Sequence, residues 1–179
     1  MGVMEFNHGV EEVFQSACVD LFKSLNCSVA CAKQNECHLY DAPVACIDAG
    51  SNDVELILGL QMPMAVLALT YPLTESIVDV GEESLEDWIS ELSNQLIGRV
   101  KSKLSAQEGE LKLGLPVTYY GEDHSELMQQ DEKIALYFNL EGEVCACYLS
   151  VEVLVEGEVL ANYFLQDEAD DIRGELELF

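Results

Sequence analysis

The run of residues 84–104, which reads SLEDWISELSNQLIGRVKSKL, most constrains how this chain can fold. Its apolar residues recur at spacings of three and four, which is the pattern of an α-helix with one buried face. These residues are Leu85, Trp88, Ile89, Leu92, Leu96, Val100 and Leu104. Ser84 suits the N-cap of such a helix, and Asp87 three residues later completes an approximate capping box. We therefore expect a long helix that begins at Ser84 and packs against a hydrophobic core.

A narrow polar stripe runs along the opposite side of this predicted helix. At about 100° per residue, it holds Asp87, Glu91, Asn94, Gly98 and Lys101. The Glu91 carboxylate and the Asn94 amide can belong to an ordinary solvated surface. They can equally form a functional site in which a rigid helix presents two polar side chains. Gly98 costs the helix ~1 kcal/mol relative to Ala. One reason to keep it is a surface that must lie close to another backbone. The stripe by itself leaves both interpretations open.

Helix and strand patterns divide the rest of the chain. The predicted elements are a helix over 5–25, a short strand near 29–31, a hairpin of 43–48 with 54–60, a helix over 63–70, a strand over 111–120, and a hairpin of 133–140 with 144–155. Pro116 should restrict its strand to an edge or a bulge. This order predicts an α+β fold. At 179 residues we expect one domain, with an acidic extension over 156–179.

The charge of the chain is extreme. It carries 34 Asp and Glu residues against 8 Lys and Arg, for a formal net charge of −26. Phosphates would be repelled, so we expect neither nucleic acid nor an anionic membrane as a partner. Solubility explains the acidity most simply, and a basic protein partner or nucleic-acid mimicry are the alternatives.

Nothing in the sequence predicts export or membrane insertion. The first residues lack a basic leader and a long apolar segment. The most apolar stretch, residues 54–73, is interrupted by Glu55, Gln61 and Pro63, which favours a strand, a turn and a helix over a membrane span. We therefore expect a cytoplasmic protein.

The cysteines and histidines form no recognisable metal or catalytic motif. The chain has 7 Cys without the tight C-x2-C pairs of structural zinc sites. Buried free thiols are favoured, and the alternative is a metal or redox site that uses Cys27, Cys31, Cys37 or His38. The loop 122–126 holds acids around His124, which is typical of a solvated turn. We expect no metal site on this chain.

At the polar stripe the chain resembles a known family. Glu91-Leu-Ser-Asn94-Gln-Leu-Ile-Gly98 is similar to the E-x-x-N signature, with its following glycine, of the CheX/CheC group of bacterial chemotaxis phosphatases. Pro116-Val-Thr-Tyr-Tyr-Gly121 resembles the P-x-x-x-x-G strand end that these proteins carry after the same helix. A single motif copy resembles CheX more than CheC. The resemblance covers about residues 5–155 and implies a mostly antiparallel sheet with long helices packed on one side.

The resemblance also implies a function. It implies dephosphorylation of a CheY-like receiver domain that carries an aspartyl phosphate and its own Mg²⁺, so this chain would need no cofactor of its own. Asn94 would orient a water in line with phosphorus, and Glu91 would hold the receiver through a lysine. Asp87, Gly98 and Lys101 would contact the partner. A homodimer is also implied.

The acidic charge of the chain leaves an alternative to catalysis. A receiver active site is acidic, so this chain should associate slowly, weakly or in a salt-dependent way. Positive charge from Arg99, Lys101 and Lys103 would offset the repulsion only in part. The main alternative is a non-catalytic interaction domain that binds a receiver or another signalling protein.

Overall fold

Three α-helices, a 3₁₀ helix and seven strands form the regular structure, which a computed structural model describes for residues 2–34, 39, 41–72, 80–104, 111–120, 133–155 and 158–164. In chain order the elements are α1 (Val3–Ser24), β1 (Val29–Cys31), β2 (Val44–Gly50), β3 (Val54–Gln61), α2 (Met64–Thr70), α3 (Glu82–Lys103), β4 (Lys112–Leu113), β5 (Val117–Tyr119), β6 (Ile134–Leu140), β7 (Glu143–Val153) and a 3₁₀ helix (Glu158–Phe164). No helix among the described residues has the length and apolar character needed to cross a membrane.

The strands form one antiparallel sheet. Its order is β1-β6-β7-β3-β2-β4, and β5 also pairs with β2. Both predicted hairpins are present, because Val44 faces Gln61 across β2 and β3, and Phe138 faces Cys145 across β6 and β7. The antiparallel α+β fold predicted from the sequence is confirmed.

The strand predicted over 111–120 is split in two. Lys112–Leu113 and Val117–Tyr119 both pair with β2, and residues 114–116 separate them. The Gly114 N–H donates to the Asp48 carbonyl over 2.8 Å, whereas Pro116 has no N–H to donate. The expectation that Pro116 marks an edge or bulge is therefore correct, and β5 remains a short edge strand.

The main core lies between the helices and one face of the sheet. On β7 the alternate residues Cys145, Cys147 and Leu149 are fully buried on this face. The helices contribute the other half of the core, with Phe6, Phe14 and Phe22 from α1 and with Ile89, Leu92 and Leu96 from α3. Helices therefore pack on one side of the sheet, as predicted, and α3 keeps its opposite side for solvent.

A smaller cluster covers part of the other sheet face. It contains Leu39, Ala42, Val44, Cys46, Ala146 and Tyr148. Gln61, which is 3% exposed, donates from Nε2 to the carbonyls of Leu39 and Ala42 over 3.1 and 3.3 Å. Its Oε1 accepts a hydrogen bond from the Tyr148 hydroxyl over 3.2 Å. Because its polar atoms are paired, Gln61 can remain buried and fix the segment before β2.

The start of α3 differs from the prediction. The helix begins at Glu82 with Gly81 at the N-cap, so Ser84 lies inside the first turn and the capping box predicted for Ser84 and Asp87 is wrong. Gly81 adopts an extended conformation with φ −80° and ψ 172°. Glu82 and Glu83 occupy the first turn, where carboxylates interact favourably with the helix dipole. These acids support a start one turn earlier than the serine predicted.

The described part of the acidic extension belongs to the core. The Tyr163 and Phe164 rings pack edge-on against Phe6 of α1, with centroids 5.7 and 5.5 Å away. The Tyr163 hydroxyl lies 2.9 Å from Ser51 Oγ and donates to Asp53 Oδ2 over 3.3 Å. The 3₁₀ helix therefore joins α1 to the turn between β2 and β3. The rest of the extension lies outside the described residues.

Candidate functional site

The structure places the predicted site residues along one solvent-facing side of α3. Asp87 and Glu91 are exposed, and Asn94, Gly98 and Lys101 are partly exposed. We call these five residues the α3 stripe. The opposite side of the helix is buried in the main core by Leu85, Ile89, Leu92, Leu96 and Val100. The same helix therefore anchors the core and presents the stripe, which fixes the spacing of its side chains.

On one flank of the stripe, α3 is held by α2. The Trp88 indole N–H donates to Thr70 Oγ1 over 3.1 Å. The Tyr71 ring packs edge-on against Trp88, with centroids 6.1 Å apart. Pro63, predicted to lie in the first turn of this helix, is its N-cap instead, and Thr70 is the last residue of α2 as predicted. A short helix is therefore fastened to the first half of α3 beside Asp87.

On the other flank, α3 is held by β5. The hydroxyls of Ser90 and Thr118 lie 2.9 Å apart within hydrogen-bonding distance. Just after β5, Tyr120 lies beside Glu86 of α3. Partial burial, followed by hydrogen bonding to Glu86 and the negative charges of Glu86 and Glu82, raises the pKa of Tyr120 to about 12. The phenol is neutral at physiological pH, as an ordinary tyrosine is.

The C-terminal half of α3 is joined to α1 through its cations. Lys103 Nζ lies 2.8 Å from Asp20 Oδ2, and Arg99 donates from Nη2 to Ser24 Oγ over 3.1 Å. The hydrogen bond and positive charge of Lys103 lower the pKa of the Asp20 carboxyl despite some burial. Two of the cations expected to offset repulsion of an acidic partner therefore interact with α1. Lys101 is the one that lies on the α3 stripe.

Within the stripe, Glu91 and Asn94 have different surroundings. Glu91 Oε1 accepts a hydrogen bond from Gln95 Nε2 over 3.1 Å, one helical turn away. Within the described part of the chain, no hydrogen bond joins the Asn94 amide to another residue. The carboxylate is thus oriented by a neighbour, while both the donor and acceptor of the Asn94 amide remain available to an outside group.

Internal packing does not explain the glycine at position 98. A Cβ built on Gly98 would meet nothing within 4 Å. Its carbonyl accepts a hydrogen bond from Ser102 Oγ over 2.9 Å, within the same helix. Gly98 therefore leaves a section of the stripe without a side chain, and the fold itself does not require a glycine there.

Metal and nucleophile chemistry gain no support from the described residues. No group of three or more His, Cys, Asp or Glu side chains in those ranges is arranged to hold a metal ion. Cys18, Cys46, Cys145 and Cys147 are buried thiols, as predicted, and burial together with Cys18 raises the pKa of the Cys147 thiol. Cys27 is half-buried and Cys31 is exposed, so the expectation of a buried thiol is wrong for Cys31. Cys37, His38, Gly121 and the loop with His124 lie outside the described residues.

A family match covers the segment that contains this site. Residues 44–139, more than half of the chain, match the sequence model of the family described as Chemotaxis phosphatase CheX. The chain belongs to the CheX family. No curated protein sequence matches it.

Solved structures of CheX proteins and of a FliY share the fold at low sequence identity. The Vibrio vulnificus chemotaxis protein CheX is 14% identical, with a TM-score of 0.61 over 79% of this chain and 95% of that one. A complex of CheX, CheY, BeF3 and Mg²⁺ from Borrelia burgdorferi is 16% identical, with a TM-score of 0.57 over 79% and 96%. Thermotoga maritima FliY is 15% identical, with a TM-score of 0.53 over 89% and 96%. These likenesses confirm the CheX/CheC-like fold.

In this CheX-family chain, sequence reasoning missed the side chains that hold the stripe in place. Trp88 was assigned only to the buried face, and Ser90, Gln95 and Tyr120 received no role. The i, i+4 spacing of Glu91 and Gln95 was a usable local signal. Pairings such as Ser90 with Thr118 join residues far apart in sequence, so only the fold brings them together.

Proposed function

We propose that this protein is a phosphatase that hydrolyses the aspartyl phosphate of a CheY-like receiver domain. The observation that carries the proposal is the side-by-side exposure of Glu91 and Asn94 on α3, where the Asn94 amide has no partner among the described residues. The family to which the chain belongs is described as a chemotaxis phosphatase. A CheX of Borrelia burgdorferi was solved together with CheY, BeF3 and Mg²⁺.

In the proposed mechanism Asn94 positions the attacking water. Its side-chain carbonyl accepts a hydrogen bond from a water that lies in line with phosphorus. The water oxygen bonds to phosphorus, the bond to the aspartyl oxygen breaks, and the receiver aspartate and inorganic phosphate are released. An amide can orient water without adding negative charge, whereas a carboxylate at this position would repel the phosphoryl oxygens. The partner's Mg²⁺ neutralises charge on the phosphoryl group, so this chain needs no cofactor of its own.

Glu91 is proposed to bind the receiver. Its carboxylate would pair with a lysine of the receiver active site, and Gln95 keeps that carboxylate oriented before the partner arrives. Asp87, Gly98 and Lys101 would contact the surrounding receiver surface. Because α2, β5 and α1 all hold α3, the helix that carries Glu91 and Asn94 is held in place before binding. Such preorganisation is the main contribution that a catalyst can make to an already reactive acyl phosphate.

Electrostatic repulsion should limit the rate of association. The chain has a net charge of −26, and Arg99 and Lys103 interact with α1. An acidic receiver would approach against this field. Added salt screens such repulsion over ~10 Å at about 0.1 M. We therefore expect the association rate to increase with ionic strength, the opposite of the usual steered encounter.

A homodimer is part of the proposal. The sheet has a short edge strand at β5, and Leu113, Leu115 and Val117 along that margin are 42, 84 and 50% exposed. Exposed apolar residues on a sheet edge favour pairing with another chain. Light scattering coupled to gel filtration would give the mass of the particle, and a 19.8 kDa particle at all concentrations would contradict the dimer.

The decisive experiment measures the lifetime of phosphate on the host's receiver domains. Asn94→Ala should lower the stimulated hydrolysis about 10²-fold or more, by analogy with the loss of one preorganised polar group. The matched control is Asn52→Ala, since Asn52 is an exposed asparagine in the turn between β2 and β3. An unchanged lifetime with every receiver would contradict the proposed activity. Receiver binding without any change in lifetime would instead support the interaction-domain alternative.

A further inference from the structure

The solvent-facing side of α2 is apolar. Ala65, Ala68 and Leu69 are exposed there, and Leu69 is 63% exposed. The one polar side chain of this helix, Thr70, is turned towards α3 and its own helix. Its Oγ1 accepts a hydrogen bond from the Trp88 indole N–H and donates to a carbonyl of α2 over 2.9 Å. A surface helix normally carries charged or polar side chains towards solvent, so α2 departs from the usual pattern.

Core packing does not explain Leu69. Val66 and Leu67 of the same helix are 2% and 0% exposed and belong to the main core, whereas Leu69 lies outside that packing. A single exposed leucine is ordinary on a protein surface. Ala65, Ala68 and Leu69, however, stand at positions i, i+3 and i+4 of one helix and therefore share one side. We call these three residues the α2 patch.

The α2 patch adjoins the α3 stripe on the side of Glu91. Trp88, which contacts both Thr70 and Tyr71, precedes Glu91 by three residues and is its neighbour on the surface of α3. Leu69 lies next to Thr70, in the last turn of α2, which is the end fastened to α3. The patch is therefore held beside Glu91 before any partner binds.

A protein partner of the α3 stripe must also cover a neighbouring element. A specific interface buries on the order of 800 Å² on each partner, which is more than one row of side chains provides. On the α1 flank, Lys103 and Asp20 form an ion pair, and the β5 margin is the edge proposed for the homodimer. The α2 flank has no charged side chain. An acidic partner can bury apolar area there without charge repulsion.

We propose that the α2 patch is a docking surface for the phosphorylated receiver domain, with Leu69 as its main contact. An apolar surface of the receiver would cover the patch while Glu91 and Asn94 reach the phosphoryl group. This inference rests on the proposed function for the identity of the partner. It gives a chain of net charge −26 a source of affinity for an acidic domain that does not depend on charge.

The test compares Leu69→Gln, Leu69→Met and Leu154→Gln. Gln and Met are close to Leu in helix propensity, so both Leu69 variants should unfold at the wild-type temperature, but only Met keeps an apolar side chain. Leu154 is the matched control because it is 47% exposed and follows the end of β7 that pairs with the start of β3. The α2 helix follows the other end of β3.

Each protein is titrated with a receiver domain that carries a beryllofluoride phosphate analogue and Mg²⁺. Leu69→Gln should raise the Kd about tenfold, as expected for the loss of one buried leucine. The ratio to the wild-type Kd should be the same at low and high salt, because apolar burial is not screened. Leu69→Met should stay within threefold of the wild type, and Leu154→Gln should match it. In steady-state assays Leu69→Gln should raise KM and leave kcat within twofold.

Failure of the docking role can be distinguished from failure of the proposed function. A folded Leu69→Gln that binds and hydrolyses as the wild type does would overturn the docking role alone, as would a fall in kcat with unchanged KM. If Leu69→Gln instead changes the mass of the particle in light scattering and leaves the Kd for receiver unchanged, a second copy covers the α2 patch and the inference is wrong. If Leu69→Gln weakens receiver binding about tenfold but the wild type hydrolyses no phosphate, docking stands and the phosphatase proposal fails.

Discussion

Gln95 and Glu91 are joined across one turn of α3 by a hydrogen bond of 3.1 Å from the amide nitrogen to the carboxylate oxygen. Both residues lie on the solvent side of the helix, so the bond contributes little to folding. Its effect is to restrict the directions that the Glu91 carboxylate can take. In the proposed mechanism this matters because Glu91 must meet a receiver lysine while Asn94 holds water.

Replacing Gln95 tests whether this bond prepares Glu91 for binding. Pairs at this spacing contribute about 0.2–0.5 kcal/mol, so Gln95→Ala should raise the KM for phosphorylated receiver about twofold with kcat unchanged. In a Glu91→Gln background the same change should have no further effect, because the oriented carboxylate is already absent. Steady-state kinetics of the four proteins measure the coupling. Equal effects in both backgrounds would show that Gln95 acts independently of Glu91.

Substitutions of Gly98 should distinguish its effect on fold stability from its effect on receiver binding. A Cβ at this position meets nothing within 4 Å, so Gly98→Ala should stabilise the fold by roughly 0.5–1 kcal/mol through helix propensity. If this section of the stripe without a side chain admits a partner backbone, Gly98→Leu should raise the KM for receiver at least tenfold while the protein stays folded. Thermal unfolding and receiver titrations measure the two effects. A Leu variant with wild-type KM would show that no partner approaches Gly98.

Tyr120 should titrate well above an ordinary tyrosine. Burial, followed by the hydrogen bond and charge of Glu86, raises its pKa to about 12 from 10.0. The unfolded chain then loses this proton first, so the free energy of unfolding falls as pH rises between about 10 and 12. Carbon-13 NMR of labelled tyrosine rings measures the pKa, and Tyr120→Phe identifies the signal. Glu86→Gln should lower the pKa without restoring it to 10.0, because burial is the larger cause.

The contact between Gly9 and Phe164 predicts that Gly9→Ala changes the free energy of unfolding in opposite directions in the wild type and in a Phe164→Ala background. A Cβ on Gly9 would lie 2.6 Å from the Phe164 ring, closer than real contacts allow. Gly9→Ala should therefore destabilise the fold, although Ala favours a helix interior by ~1 kcal/mol. Phe164→Ala should itself cost about 3 kcal/mol through lost packing on Phe6, the low end for such a truncation because Phe164 is only partly buried.

In the Phe164→Ala background the outcome for Gly9 should reverse. The ring that obstructs the Cβ is then gone, so Gly9→Ala should increase the free energy of unfolding measured in urea. A destabilising Gly9→Ala in both backgrounds would mean that another element obstructs the Cβ. This result would place the 3₁₀ helix less firmly on α1 than the ring contacts indicate.

The sequence determined the parts of this protein that depend on local spacing. Periods of 3.6 and 2 residues are properties of a single segment, so α3 and the hairpins of β2 with β3 and β6 with β7 could be predicted directly. The same local geometry placed Glu91 and Asn94 on one exposed side of α3. The predicted N-cap, Ser84, lies one turn after the observed start of α3. The preference of serine for the N-cap is a weaker signal than the acids before it, which the helix dipole favours in the first turn.

Only the tertiary structure decided what surrounds the stripe. Trp88 meets Thr70, Ser90 meets Thr118 and Glu86 meets Tyr120 through contacts between separate elements. Arg99 and Lys103 had equal local reason to face a partner, and the packing of α3 on α1 directs them to Ser24 and Asp20 instead. Contacts between distant segments leave no periodic trace in the sequence. The sequence therefore determined the stripe, and the fold decided its rigidity, its charge and its flanks.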